Sequence, residues 1–211
     1  MTLLRVLLCL VLVRPVLFIV FGVNIRHAQR LPKVGPAIVV ANHNSHLDTL
    51  VLMSLFPIAH LHDVRPVAAA DYFTRNRVLQ WLTKELLHGI FISREPTQRS
   101  ETYLKLSEAL TAGNILILYP EGSRGEPERL SKFKMGVTYL IERHPETPVY
   151  PVFMHGLGKI LPKNDWLPVP FLIDVFVGEP VHWSGDHHGF LGTLNTRMQD
   201  LAAEGHFPPW E

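Results

Sequence analysis

His43 and Asp48 stand five positions apart in Asn42-His43-Asn44-Ser45-His46-Leu47-Asp48, directly after the apolar run Ala37-Ile38-Val39-Val40-Ala41. An imidazole beside a carboxylate is a pair suited to general-base chemistry. The carboxylate holds one ring nitrogen and fixes the tautomer, and the other nitrogen takes a proton from a hydroxyl. Residues five apart on one α-helix point about 140° from each other at about 3.6 residues per turn. The pair therefore meets only across a bend, such as a strand-to-helix turn. Taken alone, the H-x4-D spacing is also that of a loop histidine and a helix-capping aspartate, which is the commoner source of such a match. A metal site with His46 as third ligand is a further reading, but His43-x-x-His46-x-Asp48 fits neither the helical H-E-x-x-H zinc pattern nor a paired Cys/His arrangement.

Further along, two arginines each close a short apolar run beside a turn. Arg94 ends Gly89-Ile90-Phe91-Ile92-Ser93-Arg94, and Arg124 ends Tyr119-Pro120-Glu121-Gly122-Ser123-Arg124. A guanidinium fork suits phosphate because it binds two oxygens at once. Glycine in Glu121-Gly122-Ser123 permits a tight turn that exposes backbone N–H groups to an anion. Lys134, in Phe133-Lys134-Met135-Gly136, adds a cation near a helix start. A solvated surface charge accounts for either arginine singly, and less well for both in the same context. Other motifs fall away. Glu121-Gly122-Ser123-Arg124-Gly125 is one residue short of a G-x-S-x-G elbow. Gly156-Leu157-Gly158-Lys159 lacks the spacing and the hydroxyl of a P-loop. Ser45 has no nucleophile turn around it, and His187-His188 follows no ligand spacing and reads as surface.

Six apolar runs read as the strands that position these residues: 37–41, 66–70, 90–92, 115–119, 149–154 and 172–177. Helical patterns lie between or after them at 49–55, 76–87, 99–112, 132–143 and 190–203, the third of these stopping at Gly113. Strands alternating with helices imply an α/β layer structure with its sites at strand ends. At 211 residues this is one domain with a substantial core. A net charge of +1 provides no basic field for nucleic acid. The single cysteine, Cys9, excludes an internal disulfide and sits in an apolar segment without a polar partner.

Residues 3–23 are almost entirely apolar, close to the ~20 that a spanning helix requires, but Arg14 and Pro15 interrupt the middle. An arginine near the bilayer centre costs roughly 2.5–3.5 kcal/mol on insertion scales, and the proline kinks or breaks the helix. The preferred reading is a one-leaflet anchor of two short helices with Arg14 reaching the headgroups. A spanning helix and a buried helix of a soluble core follow in that order. The cations Arg26, Arg30 and Lys33 favour the cytoplasmic face of an inner or plasma membrane and anionic lipid.

Asn42-His43-x-Ser45-x-x-Asp48, Gly89-x-Phe91-Ile92-x-Arg94, Tyr119-Pro120-Glu121-Gly122-Ser123-Arg124 and Val149-Tyr150-Pro151-Val152 together resemble the four ordered blocks of the glycerolipid acyltransferase family. Its best-known members are the 1-acylglycerol-3-phosphate acyltransferases. The resemblance spans roughly residues 35–155 and extends to the apolar, basic amino terminus. It implies a single α/β acyltransferase domain, residues 34–211, with a central mixed sheet flanked by helices and preceded by an apolar helical anchor, residues 1–33. By the same resemblance, His43 is the general base and Asp48 its orienting carboxylate. Arg94, Glu121, Gly122, Ser123, Arg124 and Lys134 form the acceptor's polar or phosphate site, and residues 149–152 lie along the acyl side. The implied partners are a lysophospholipid acceptor, an acyl-CoA or acyl carrier protein donor and the membrane bilayer, with no metal or organic cofactor and no nucleic acid. The expected reaction is acyl transfer to the hydroxyl of 1-acylglycerol-3-phosphate, giving phosphatidic acid. One position departs: Ala70 stands before Asp71 where members acting on glycerol phosphates commonly carry lysine. An aminolipid or another lysolipid is therefore an alternative acceptor, and a lipid hydrolase or a catalytically silent lipid-binding protein are alternatives of other classes.

Overall fold

The run 37–41 has no polar position on either side of the pleat, so it needs apolar cover on both faces. It obtains it: strand β2 (Ala37–Ala41) is buried at all five residues and lies at the centre of the sheet. The computed structural model describes residues 7, 9–45, 47–70, 87–123, 125, 129–160, 169 and 171–208. The strands are β1 (Val23–Arg26), β2, β3 (Val64–Ala69), β4 (Ile90–Ile92), β5 (Ile115–Leu118), β6 (Val149–His155) and β7 (Ile173–Val177), in the spatial order β1-β7-β6-β2-β5-β3-β4. Pairing is parallel throughout except between β6 and β7, so the sheet is mixed.

One face of the sheet, with Val39, Ala41, Ile117, Val152 and Met154, packs under helix α1 (Asp48–Ser54) and the amino-terminal segment. The other face carries Ile38, Val40, Leu116 and Phe153. It is covered by α2 (Arg99–Thr111), α3 (Gly136–Arg143) and α5 (His187–Glu204), while the short α4 (Leu157–Ile160) follows β6 on the α1 side. The largest cover is α5, which buries Phe190, Leu194, Met198 and Leu201 at helical spacing. Each of those side chains contributes about 1.5–3 kcal/mol by leaving water. The helix expected at residues 76–87 lies outside the described residues except for Leu87.

Several expectations change. Residues 23–26, expected within the anchor, form edge strand β1 beside β7, with Asn24 Nδ2 donating to Asp174 Oδ1 at 2.8 Å. Two residues of the basic cluster also meet the protein: Arg30 pairs with Glu179 at 2.7 Å and donates to the Val177 carbonyl, and the partly exposed Arg26 lies 3.9 Å from Glu204, while Lys33 is exposed. His187 is not a bare surface residue, because its Nδ1 meets Thr138 Oγ1 at 2.9 Å and its Nε2 lies 3.4 Å from Glu142, tying α5 to α3.

The amino-terminal segment forms two π-helical turns, Cys9–Val13 and Val16–Phe21. Leu17 and Phe21 are buried in the α1 face of the core, whereas Val11, Leu12, Ile19 and Val20 are exposed. No helix among the described residues is long and apolar enough to cross a membrane. Arg14 does not point outward to headgroups as expected; it turns inward to the Ser54 and Phe56 carbonyls.

Candidate active site

Five strands, β2 to β6, share one direction, so the segments following them emerge at one edge of the sheet, where open α/β sheets place their ligands. Asn42, the residue after β2, extends the β2–β6 ladder with its side chain. Nδ2 donates to the Met154 carbonyl and Oδ1 accepts from the Met154 N–H, both at 2.8 Å. The amide is buried and satisfied, and it sets where the chain leaves the sheet.

The chain then bends into α1, whose first residue is Asp48. Asp48 Oδ2 accepts three hydrogen bonds: from His43 Nδ1 at 2.8 Å, Asn44 N–H at 2.8 Å and Ser45 N–H at 3.0 Å. With Asp48 as the carboxylate, the ring proton sits on Nδ1 and the basic lone pair on Nε2. Asp48 has 1% of its side chain exposed and His43 22%, so the orienting charge is dry while the base is reachable. The imidazole stacks on the Tyr119 ring, with centroids 4.2 Å apart and planes at 23°. The Tyr119 hydroxyl shares a 2.9 Å hydrogen bond with Thr49 Oγ1. Burial, reinforced by the Asp48 charge and opposed by the Thr49 bond, holds the phenol well above the usual tyrosine range.

Glu121 turns toward the backbone of His43. Its carboxylate is buried, 4% exposed, and Oε1 accepts from the His43 backbone N–H at 3.3 Å. Four residues later in the loop, Gly125 N–H donates to the His43 carbonyl at 3.0 Å, so the loop after β5 holds both the N–H and the carbonyl of His43. Burial pushes the Glu121 carboxyl up to about 7; Asp48 adds to the rise, and hydrogen bonds from His43 N–H and Ser131 oppose it.

Gly122 is where the cations converge. Its φ of +75° suits glycine, and a Cβ there would lie 2.6 Å from Lys134 Nζ. Arg94 Nη2 donates to the Gly122 carbonyl at 2.6 Å, and Lys134 N–H donates to the Pro120 carbonyl at 2.9 Å. Arg94, Gly122 and Lys134 are thus brought together one residue from the carboxylate that holds His43. Ser123 is exposed beside them. Arg124, His46 and Asp71 lie outside the described residues, while Ala70 is half-buried just past β3. Residues 149–152 lie within β6, with Val149 and Val152 fully buried on opposite faces. Among the described residues, no cluster of three His, Cys, Asp or Glu side chains could hold a metal ion. Tyr119 and Thr49 gain contacts that no spacing in the sequence displays; a polar Asn42 directly after a fully apolar strand was the available signal for its ladder role.

A family model described as acyltransferase matches residues 22–155, which include His43, Asp48, Arg94, Glu121, Gly122 and Lys134. The chain belongs to the acyltransferase family and is an acyltransferase by that membership. It is 26% identical over 184 residues to the 1-acyl-sn-glycerol-3-phosphate acyltransferase of Pseudomonas aeruginosa, an alignment covering 86% of this chain and 67% of that one. Against 1-acyl-sn-glycerol-3-phosphate acyltransferase LPAT1 of Arabidopsis thaliana it is 25% identical over 167 residues, covering 78% of this chain and 45% of the relative. The human 1-acyl-sn-glycerol-3-phosphate acyltransferase beta is 28% identical over 143 residues, with 61% and 45% covered. The chain thus spans about two thirds of the bacterial relative and under half of the plant and human ones. In fold it resembles the crystal structure of the 1-acyl-sn-glycerophosphate acyltransferase PlsC from Thermotoga maritima, with a TM-score of 0.72 at 21% identity over 90% of this chain and 74% of that one.

Proposed function

We propose that this chain transfers a fatty acyl group from an acyl thioester, acyl-CoA or acyl carrier protein, to the hydroxyl of a lysophospholipid, 1-acylglycerol-3-phosphate above others. The arrangement that carries the reading is the Asp48–His43 pair at 2.8 Å with Arg94 and Lys134 gathered around Gly122 at the same sheet edge. His43 Nε2 takes the acceptor's hydroxyl proton as the oxygen attacks the thioester carbonyl. Asp48 stabilises the imidazolium so formed. The tetrahedral adduct collapses to the ester and expels the thiolate, which recovers the proton from His43. No acyl-enzyme is needed, and the products are a diacyl lipid and a free thiol. Arg94 and Lys134, with Arg124, supply charge for the acceptor phosphate, while Glu121 holds His43 in place. The names of the relatives support this acceptor.

The reaction takes place at a bilayer surface, with residues 1–22 as a one-leaflet anchor and the remainder as the catalytic domain. Exposed Val11, Leu12, Ile19 and Val20 support this, together with exposed Val169, Phe171 and Leu172 just before β7. Ala70 supports a second acceptor class, an aminolipid or another lysolipid, because it leaves no cation where a phosphate-reading lysine would stand. Mass spectrometry of products from a lysolipid panel with one thioester donor separates these readings. Phosphatidic acid as main product supports the first, a different acylated lipid the second, and free fatty acid alone would establish hydrolysis and overturn both.

A further inference from the structure

Arg14 is the only charged residue between Cys9 and Gly22, and the protein uses it. Its Nη2 donates to the Phe56 carbonyl at 2.6 Å and to the Ser54 carbonyl at 3.1 Å, partners 42 and 40 positions away in sequence. Ser54 is the last residue of α1, whose final backbone carbonyls lack the N–H partners of a continuing helix and form the negative end of its dipole. A cation donating to the Ser54 carbonyl caps the helix, and its second bond ties in the Phe56 carbonyl two residues beyond.

We propose that Arg14 is a positioning residue for the His43–Asp48 pair, a latch by which the apolar amino-terminal segment sets the placement of α1 and hence of Asp48. The proposal rests on the general-base reading above. Three observations connect the two ends of α1. The helix has seven residues, well below the roughly 12–15 at which an isolated helix becomes even marginal, so its position depends on its attachments. Every hydrogen bond made by Asp48 to His43, Asn44 and Ser45 goes through Oδ2. Its Oδ1 is buried and makes no hydrogen bond among the described residues, so a shift of α1 is not compensated by the second oxygen. Finally, Leu17 and Phe21 from the same segment pack into one apolar cluster with Val51, Leu52, Met53 and Phe56, so the segment grips α1 along its side as well as at its end.

A snorkelling arginine and a latching arginine differ in what their loss does. The test uses the full chain as wild type, Arg14→Ala, Arg14→Lys and His43→Ala. Each is assayed on a short-chain, monomeric lysophosphatidate with a short-chain acyl-CoA in the absence of bilayer, and for binding to phosphatidylcholine/phosphatidylglycerol vesicles. Arg14→Ala is expected to lower kcat about ten- to a hundredfold, as a misplacement of about 1 Å does at a catalytic pair. Acceptor KM and vesicle binding should stay close to wild type, with Arg14→Lys recovering part of the rate. The acid limb of the pH–rate profile moves to lower pH in Arg14→Ala, because the imidazolium loses part of its carboxylate partner. A uniform fall in rate with an unmoved profile marks Arg14 as an ordinary stabiliser of the fold and overturns the proposal. So does wild-type turnover, or lost vesicle binding with unchanged turnover, which assigns the arginine to lipid. If Arg14→Ala does not fold, the same comparisons on Arg14→Lys decide, since a weakened latch still moves the profile. Retained turnover in His43→Ala sinks the base reading itself, a failure distinct from a dead His43→Ala beside a fully active Arg14→Ala.

Discussion

Replacing Asp48 by Asn removes a charge and keeps a shape. In the structure one carboxylate oxygen accepts from His43 Nδ1–H and from two backbone N–H groups, at 2.8, 2.8 and 3.0 Å. An amide oxygen in the same place accepts all three, so the bend between β2 and α1 stays satisfied. What is lost is the field acting on the imidazolium as the acceptor proton arrives. Opposite charges about 4 Å apart interact by about 4 kcal/mol at an effective dielectric near 20. The His43 side chain is 22% exposed, so water weakens that interaction. A barrier rise of about 2–4 kcal/mol, or roughly 30- to 1,000-fold in kcat, is the expected result.

The companion Asp48→Ala separates catalysis from folding. It leaves the N–H groups of Asn44 and Ser45 without the acceptor they now share, at about 1–3 kcal/mol for each buried group left unpaired. Asp48→Asn should therefore melt close to wild type, and Asp48→Ala several degrees lower. Turnover is followed by thiol release from the acyl thioester, normalised to folded protein by circular dichroism. Turnover of Asp48→Asn within about threefold of wild type would refute the reasoning, because the charge would then contribute little to the transition state.

Three further outcomes are expected. Burial raises the Glu121 carboxyl from 4.5 to about 7, so its contribution to stability is full below the lower value and lost as pH rises through the upper one; the difference in melting temperature between wild type and Glu121→Gln should fall from pH 5 to 8, and a constant difference would contradict the assignment. Arg94→Ala and Lys134→Ala should each raise acceptor KM about ten- to a hundredfold for lysophosphatidate, a loss of about 1.5–3 kcal/mol per charged hydrogen bond, with a much smaller effect on a lysolipid without a terminal phosphate; equal effects on both acceptors would remove these cations from phosphate recognition. Ile19→Asp with Val20→Asp, at two exposed apolar positions, should reduce vesicle co-sedimentation while leaving turnover on monomeric substrate near wild type, and unchanged co-sedimentation would remove this surface from the membrane contact.

The strand before His43 was legible because composition alone decides it: five apolar residues with no polar alternation demand cover on both faces, and β2 has it. Four motifs in order then made the glycerolipid acyltransferase resemblance, and the strands that carry them lie where the apolar runs do. β1 was hidden for a physical reason. Val23-Asn24-Ile25-Arg26 continues an apolar run, offers only two cycles of alternation, and finds its partner β7 150 positions away. The sequence marked Glu121 by its place at a strand end but not by its orientation. A carboxylate at a strand end can face solvent, cation or backbone, and here the donor that decides is the N–H of His43, 78 positions earlier. Arg14 shows the same limit. A lone arginine in an apolar segment must find acceptors; headgroups and helix-end carbonyls both offer them, and only the folded placement of α1 chooses between them.

The antiparallel pairing of β6 with β7 then acquires a meaning beyond the register. Had β7 run with β6, its amino end would stand at the far edge from His43. Running against it, β7 sets Asp174 opposite His155 at the carboxyl end of β6, and the parallel β1 brings Val23 beside Ile173 at that same edge. Ile173 N–H donates to the Gly22 carbonyl at 3.0 Å, joining the end of the amino-terminal segment to the exposed Phe171–Leu172 stretch. The apolar surface and the His43–Asp48 pair therefore share one rim because of a single reversal of strand direction. For an acceptor whose acyl chain stays in lipid, moving that chain fully into water costs roughly 0.8 kcal/mol per CH₂, which exceeds what two phosphate contacts return. A site at the rim avoids the cost by letting only the headgroup and its hydroxyl leave the bilayer, and on the proposed reading that is what the reversed pair β7–β1 accomplishes.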